Sequence, residues 1–246
     1  MANLVIDIGN TNTKIAVFEQ DELVEAGHHQ NQDIQLQHIL SKYTISKTII
    51  SSVKKGFAAW ETVLNEKVKV IYFNTAMSTG IKNHYLTPNT LGPDRLAGVI
   101  GAAHTYPGQD SLVIDGGTCI TYDFVDSELN YYGGSISPGL KMRYKALNYY
   151  TAALPVVNED SSFDKISGDN TQSAITSGVQ NGIKYELEGF IKSYIQDKNQ
   201  LNIILTGGDS IFFDSLLKNS IFAPYIKTEP YLVLKGLNAA ITTHND

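Results

Sequence analysis

Cysteine is almost absent from this chain. Cys119 stands alone, so no disulfide can form within it, which is what a reducing compartment leads one to expect, and the expected location is the cytoplasm. Clustered basic charge is missing too. The 19 Lys and Arg residues are scattered and outnumbered by 25 Asp and Glu, so the net charge of −6 offers no electrostatic footprint for nucleic acid. No apolar run is long enough to span a bilayer, and Met1 leads straight into Leu4-Val5-Ile6 without a basic segment; neither membrane insertion nor export is expected. The 6 histidines fall in no HxxxH or CxxC context, which removes the basis for a zinc site of protein ligands, and any metal is expected to arrive with a substrate. Neither a Walker loop, GxxxxGK[ST], nor a dinucleotide fingerprint, GxGxxG, occurs.

What is present is an ordinary apolar share of 42% over 246 residues, enough for one large domain or two small ones. Short β-branched runs at Asn3 to Ile8, Lys14 to Phe18 and Leu23 to His28, broken by Gly9-Asn10 and Gln20-Asp21, predict an antiparallel meander. Helical spacing at Ile34 to Leu40, a strand at Thr48 to Ser51, a helix at about Phe57 to Leu64 and a strand at Val68 to Phe73 follow. The stretch Asn74 to Pro93, with Gly80, Pro88 and Gly92, reads as a boundary or functional loop.

The opening then recurs. Leu112-Val113-Ile114-Asp115 repeats Leu4-Val5-Ile6-Asp7 residue for residue, each copy is followed by glycine and threonine, and strands at Ile120 to Val125 and Leu129 to Ile136 repeat the meander. An internal duplication is the expectation, with halves at 1–106 and 107–246. Helices are predicted at Leu140 to Tyr150, at Gln172 to Ile195 behind the cap Asn170-Thr171, at Phe212 to Leu217 and at Leu232 to Ile241, with a strand at Asn202 to Leu205.

Three turns carry chemistry. In Asp7-Ile8-Gly9-Asn10-Thr11 a carboxylate ends a buried strand and the following N–H groups and hydroxyl can face an anion, so the turn can hold phosphates while Asp7 orients Mg²⁺. A single copy would serve equally well as plain hairpin chemistry. Asp115-Gly116-Gly117-Thr118 supplies the second copy, and two such turns facing each other would clamp a nucleotide. Thr206-Gly207-Gly208-Asp209, between a strand and a helix, either accepts adenine or ribose or is an ordinary strand-to-helix turn.

Together these turns resemble the superfamily of acetate and sugar kinases, heat-shock ATPases and actin. The remaining motifs narrow the resemblance: Tyr85-Leu86-Thr87-Pro88, then Leu91-Gly92-Pro93-Asp94-Arg95-Leu96-Ala97, then Gly133-Gly134-Ser135-Ile136-Ser137-Pro138-Gly139. In this order, over nearly the whole chain, they are similar to type III pantothenate kinase, the first committed enzyme of coenzyme A synthesis in many bacteria. The resemblance implies an α/β fold of two tandem actin-like, ribonuclease H-like halves, each a mixed five-stranded sheet with flanking helices. It implies ATP with Mg²⁺, a monovalent cation (K⁺ or NH₄⁺), pantothenate as the small-molecule substrate, and a homodimer.

The same resemblance assigns roles. Asp94 would be the catalytic base toward the pantothenate hydroxyl. Arg95, Gly92, Pro93 and Tyr85 would shape the pantothenate pocket, with Thr171 reaching it. Asp7, Ile8, Gly9, Asn10, Thr11, Asn12, Thr13 and Lys14 would form the ATP phosphate loop, with Asp7 meeting Mg²⁺ through the phosphates. Thr118 would be a second phosphate contact, Gly207 and Gly208 would border the adenosine, and Asp115 would hold the monovalent cation. Read without the family, Asp94 is equally a first-turn helix carboxylate after Pro93. Arg95 is then an ion-pair partner, Lys14 a solvated strand lysine, and Cys119 a packing residue. Tyr131-Tyr132 and Tyr149-Tyr150 are either core or a subunit interface. Two other functions fit the turns alone: a related kinase or phosphohydrolase on another small substrate, or a non-catalytic regulatory homologue.

Overall fold

The computed structural model describes residues 1–30, 36–53, 59–196 and 201–243. It divides into two compact units, one formed by Met1–Gly108, Val125–Gly133 and Tyr231–Asp246, the other by Gln109–Phe124 and Gly134–Pro230.

The first unit opens with the expected meander, β1 (Ala2–Ile8), β2 (Asn12–Glu19) and β3 (Glu22–Gln30). Leu4, Val5 and Ile6 are all buried, as in a strand covered on both faces rather than one that alternates. Then come α1 (Leu36–Lys42), β4 (Ile45–Ser52), α2 (Ala59–Asn65) and β5 (Lys69–Tyr72), and the sheet order is β3-β2-β1-β4-β5. The starts of the two helices expected from Ile34 and Phe57 lie outside the described residues. Strand β4 runs parallel to β1, and β5 parallel to β4. On one face Leu4, Ile6, Ile15, Val17 and Ile50 pack with Leu36, Ile39 and Leu64 from the helices.

The loop after β5 contains a two-residue strand, β6 (Lys82–Asn83), and a 3-10 turn at Pro88–Thr90, and ends in α3 (Pro93–Thr105). Every residue from Arg95 to Ala102 is buried, so α3 has no polar face there and its sequence shows no clear amphipathic period. That is why the sequence suggests only its first turn. Against α3 lies α7 (Leu232–Thr243), and the two approach closely where Gly101 meets the backbone of Leu232. Asn238 of α7 accepts a 3.0 Å hydrogen bond from the Asn3 side chain of β1.

The second sheet and its helices repeat the plan with β7 (Ser111–Gly116), β8 (Cys119–Val125), β9 (Asn130–Pro138), α4 (Leu140–Tyr149), α5 (Thr171–Ile195), β10 (Asn202–Thr206), α6 (Ser210–Leu217) and β11 (Ile226–Thr228). Its order, β9-β8-β7-β10-β11, is that of the first sheet strand for strand, and β10 and β11 run parallel just as β4 and β5 do. The repeated Leu-Val-Ile-Asp thus begins two copies of one topology. A sixth strand joins this sheet, because β9 starts at Asn130 and Tyr131, which pair with β6. Sequence reading placed neither β6 nor β11, each too short to display alternation. The core is built by Leu112, Ile114, Ile120, Ile203 and Leu205 against Ile183, Leu187 and Ile191, spaced four apart along α5.

Helix α5 begins with a capping box. Asn170 Oδ1 accepts from the Ser173 N–H at 3.0 Å, and Ser173 Oγ accepts from the Asn170 N–H at 3.1 Å. Replacing Asn170 with Ala is expected to cost about 0.5–2 kcal/mol in unfolding free energy, read by urea titration. A loss below that range would mean the box contributes nothing here. Among the described residues no helix is long and apolar enough to cross a membrane.

Candidate active site

In the first unit, the β1–β2 hairpin is closed by a 3.0 Å bond from the Gly9 N–H to the Asn12 carbonyl, leaving Asn10, Thr11 and Asn12 exposed at the tip. Asp7, 8% exposed, lies opposite Lys14 of β2 in the ladder; Lys14 lies opposite His28 of β3, and Asp7 opposite Ser51 of β4. Paired residues share a sheet face, so Ser51, Asp7, Lys14 and His28 form one row across four strands. Burial lowers the affinity of His28 for a proton, and the charges of Lys14 and His29 lower it further. Ser51 Oγ is buried and has no hydrogen-bond partner among the described residues. The sequence reading missed Ser51, a serine at a strand end that nothing distinguishes until the register places it beside Asp7.

The same unit gathers the Tyr85-to-Arg95 motif. Pro93 occupies the first turn of α3 behind Gly92, and Asp94 lies in that turn, where the helix dipole favours a carboxylate. Asp94 Oδ1 accepts a 2.9 Å bond from the Arg95 N–H. Arg95 is 6% exposed, and its guanidinium lies 5.6 Å from the centre of the Tyr85 ring, within cation–π range. Tyr85 in turn stacks on the buried Tyr131 at 6.4 Å. Tyr85, Asp94 and Arg95 are thus held together by α3 and the β6–β9 pairing, a tight group that sequence spacing alone could not produce.

In the second unit, the three glycine-rich segments converge at the ends of β7 and β10. Asp115 pairs with Thr206 in the ladder, and its Oδ1 lies so close to Gly207 that a Cβ there would sit 2.1 Å away. The Asp209 N–H donates to the Gly116 carbonyl at 3.0 Å, and the Gly139 N–H donates to the Thr118 carbonyl at 3.1 Å. Thr118 and Gly208 are exposed on this surface. Thr206 Oγ1, like Ser51 Oγ, is a buried hydroxyl beside the strand-end Asp with no hydrogen-bond partner among the described residues. Asp209 is held above the usual carboxylate range, first by burial and then by the charge of Glu159, with Lys141 opposing. Neither Asp209 nor Gly139 was assigned a role from the sequence.

Thr171 is exposed on the first turn of α5, between Asn170 and Gln172, which line a cleft of about 440 Å³ together with Pro155, Glu159, Asp160 and Ser173. The tyrosine pairs separate: Tyr131 is core, whereas Tyr132, Tyr149 and Tyr150 are exposed.

This arrangement has relatives. A family model for type III pantothenate kinase matches residues 3–193. The type III pantothenate kinase of Bacteroides fragilis strain YCH46 is 43% identical over 245 residues, 99% of this chain and 98% of its own length. The chain belongs to the type III pantothenate kinase family. The member from Christiangramia forsetii is 44% identical over 239 residues, covering 96% of each chain. Among solved structures, a Baf family transcriptional activator from Campylobacter jejuni aligns with a TM-score of 0.59 at 21% identity over 97% of each chain. The activator of the 2-hydroxyisocaproyl-CoA dehydratase from Clostridium difficile aligns with a TM-score of 0.55 at 12% identity, over 98% of this chain and 94% of that one. At those identities the likeness establishes the fold alone, a mixed α/β architecture with two sheets.

Proposed function

We propose that this chain transfers the γ-phosphoryl group of ATP to the primary hydroxyl of pantothenate, giving 4′-phosphopantothenate and ADP at the start of coenzyme A biosynthesis. The observation that carries this reading is chain-long identity of 43% with a protein named for that activity. The grouping of Tyr85, Asp94 and Arg95 in the first unit agrees with it.

The residues fit the groups this reaction needs. Two turns with exposed tips, each behind a strand-end Asp and beside a buried hydroxyl with no partner among the described residues, suit phosphate oxygens and their cations. Asp7 would meet Mg²⁺ through the phosphates, and Asp115 would hold K⁺ or NH₄⁺ on the Gly207 side. Bound with the triphosphate, these cations would neutralise charge on the oxygens of a loose transition state. Ile8 to Lys14 would line the phosphates from the first turn and Thr118 from the second, while Gly207 and Gly208 would border the adenosine, with open space beside Gly208.

At the acceptor end, Arg95 carries a fixed charge suited to the pantothenate carboxylate, oriented by the Tyr85 ring. Gly92 and Pro93 set the direction of the α3 N-terminus, and Thr171 adds a hydroxyl. Asp94 takes the alcohol proton as the new O–P bond forms and the bond from the γ-phosphorus to the bridging oxygen breaks, so that ADP leaves with the electron pair. A homodimer in the cytoplasm completes the reading, with exposed Tyr132, Tyr149 and Tyr150 as candidates for the subunit contact.

Purified protein is expected to release ADP only when pantothenate, ATP and Mg²⁺ are all present, and faster in K⁺ or NH₄⁺ than in Na⁺. Absence of pantothenate-dependent ADP release under every cation would reject the proposal. Faster turnover of another hydroxylated acid or sugar in a substrate panel would favour a related kinase instead.

A further inference from the structure

Behind the second phosphate turn lies a polar network that the proposed chemistry does not use. Glu186, midway along α5, accepts the Tyr122 hydroxyl of β8 at 2.8 Å and the Ser137 hydroxyl of β9 at 2.6 Å on Oε1. Its Oε2 accepts Nη2 of Arg143, from α4, at 2.5 Å. The arginine is also a fork into the end of β9: Nη2 donates to Ser137 Oγ at 2.7 Å and Nε to the Pro138 carbonyl at 2.8 Å. Both side chains of the ion pair are largely covered, at 20% and 23% exposure. Burial would raise the Glu186 carboxyl, but the bonds from Ser137, Arg143 and Tyr122 outweigh it and hold the group below its ordinary value, so it is charged at neutral pH.

The residue after this anchored pair is Gly139. Its N–H bonds to the Thr118 carbonyl at 3.1 Å, and a Cβ on it would lie 2.2 Å from the Gly117 carbonyl oxygen and 2.5 Å from that of Thr118. The corner has no slack. A shift of Pro138 is therefore passed directly to the Gly117 and Thr118 backbone, as rigid, close-packed interiors transmit displacement.

We infer that Arg143 and Glu186 are positioning residues for the phosphate-binding turn at Asp115–Thr118, acting through Ser137, Pro138 and Gly139. The inference rests on the phosphate role given to that turn above. A pair needed only for stability would be served as well by apolar residues of similar volume. A planar fork that must hold one carbonyl, one hydroxyl and one carboxylate together would not. Specificity follows from the wiring: the strap ends at Thr118, so ATP and not pantothenate should feel its loss.

The test compares Glu186→Gln and Arg143→Lys with Tyr144→Phe. The last removes the buried 2.9 Å bond from the Tyr144 hydroxyl to Gln180 between the same two helices, without touching the strap. Mg·ATP affinity is read by equilibrium calorimetry, and KM for each substrate by ADP release. The expected result is a Kd for Mg·ATP raised about 10- to 100-fold in both strap variants, the range typical of losing residues that orient the ligating groups of a site. KM for pantothenate should stay within about twofold, and Tyr144→Phe should leave both constants unchanged. Unchanged Mg·ATP affinity in the strap variants, or equal weakening by Tyr144→Phe, overturns the inference. A wild-type protein that binds Mg·ATP but does not phosphorylate pantothenate would sink the proposed function alone, because the Kd comparison still decides the role of the strap. If the wild type does not bind Mg·ATP, both fall.

Discussion

Asp94→Asn is expected to lower kcat by about 10²- to 10⁴-fold, the range a positioned general base contributes. The substitution isolates the proton-accepting role. Asn is nearly the size of Asp and keeps an oxygen that can accept the Arg95 N–H, so the α3 N-terminus should retain its shape. It cannot take a proton from an alcohol. The lost helix-dipole interaction should cost only about 0.3–1 kcal/mol of stability. Steady-state kinetics and a thermal melt on the same preparation make the check: KM for pantothenate within a few-fold, a nearly unchanged melting midpoint and a collapsed kcat are the expected set. A kcat within tenfold of wild type would remove Asp94 from the chemistry and leave it as a helix-capping charge.

Much of this architecture can be read from residue order, for a definite reason. The duplicated Leu-Val-Ile-Asp lies in an inner strand of each sheet, so one local pattern reports two long-range events, and the observed orders β3-β2-β1-β4-β5 and β9-β8-β7-β10-β11 repeat it. The long helix α5 was equally legible, since its cap at Asn170 and its apolar spacing agree. Helix α3 was not, because it is buried on every side between Arg95 and Ala102, and periodicity needs a wet face to contrast with a dry one. The candidate site divides in the same way. Asp7, Asp94 and Asp115 stand in motifs, and Thr206 opens one, whereas Ser51 becomes visible only through register, since what marks it is the strand beside it. Arg143 and Glu186 lie 43 residues apart on separate helices, and no local pattern links them.

A severe structural demand in the second unit falls on Gly207, and its replacement by Ala should have the other large effect. Gly207 has φ of +84°, a conformation that L side chains rarely adopt, and an added Cβ would lie 2.1 Å from Asp115 Oδ1 and 2.4 Å from the Gly116 carbonyl oxygen. Strain of about 1–3 kcal/mol is expected from the backbone alone. The overlap must then be relieved by moving either the Asp115 carboxylate or the turn that carries Thr118. Gly208→Ala is the built-in control, because nothing lies within 4 Å of a Cβ there, and it should stay within about 0.5 kcal/mol. Urea unfolding separates the two by stability. Cation dependence separates them by function: if Asp115 holds the monovalent ion, Gly207→Ala should lose most of the stimulation by K⁺ over Na⁺, whereas Gly208→Ala keeps it. Full K⁺ stimulation in Gly207→Ala, despite the lost stability, would place the cation away from Asp115 and leave that carboxylate only the task of shaping the turn.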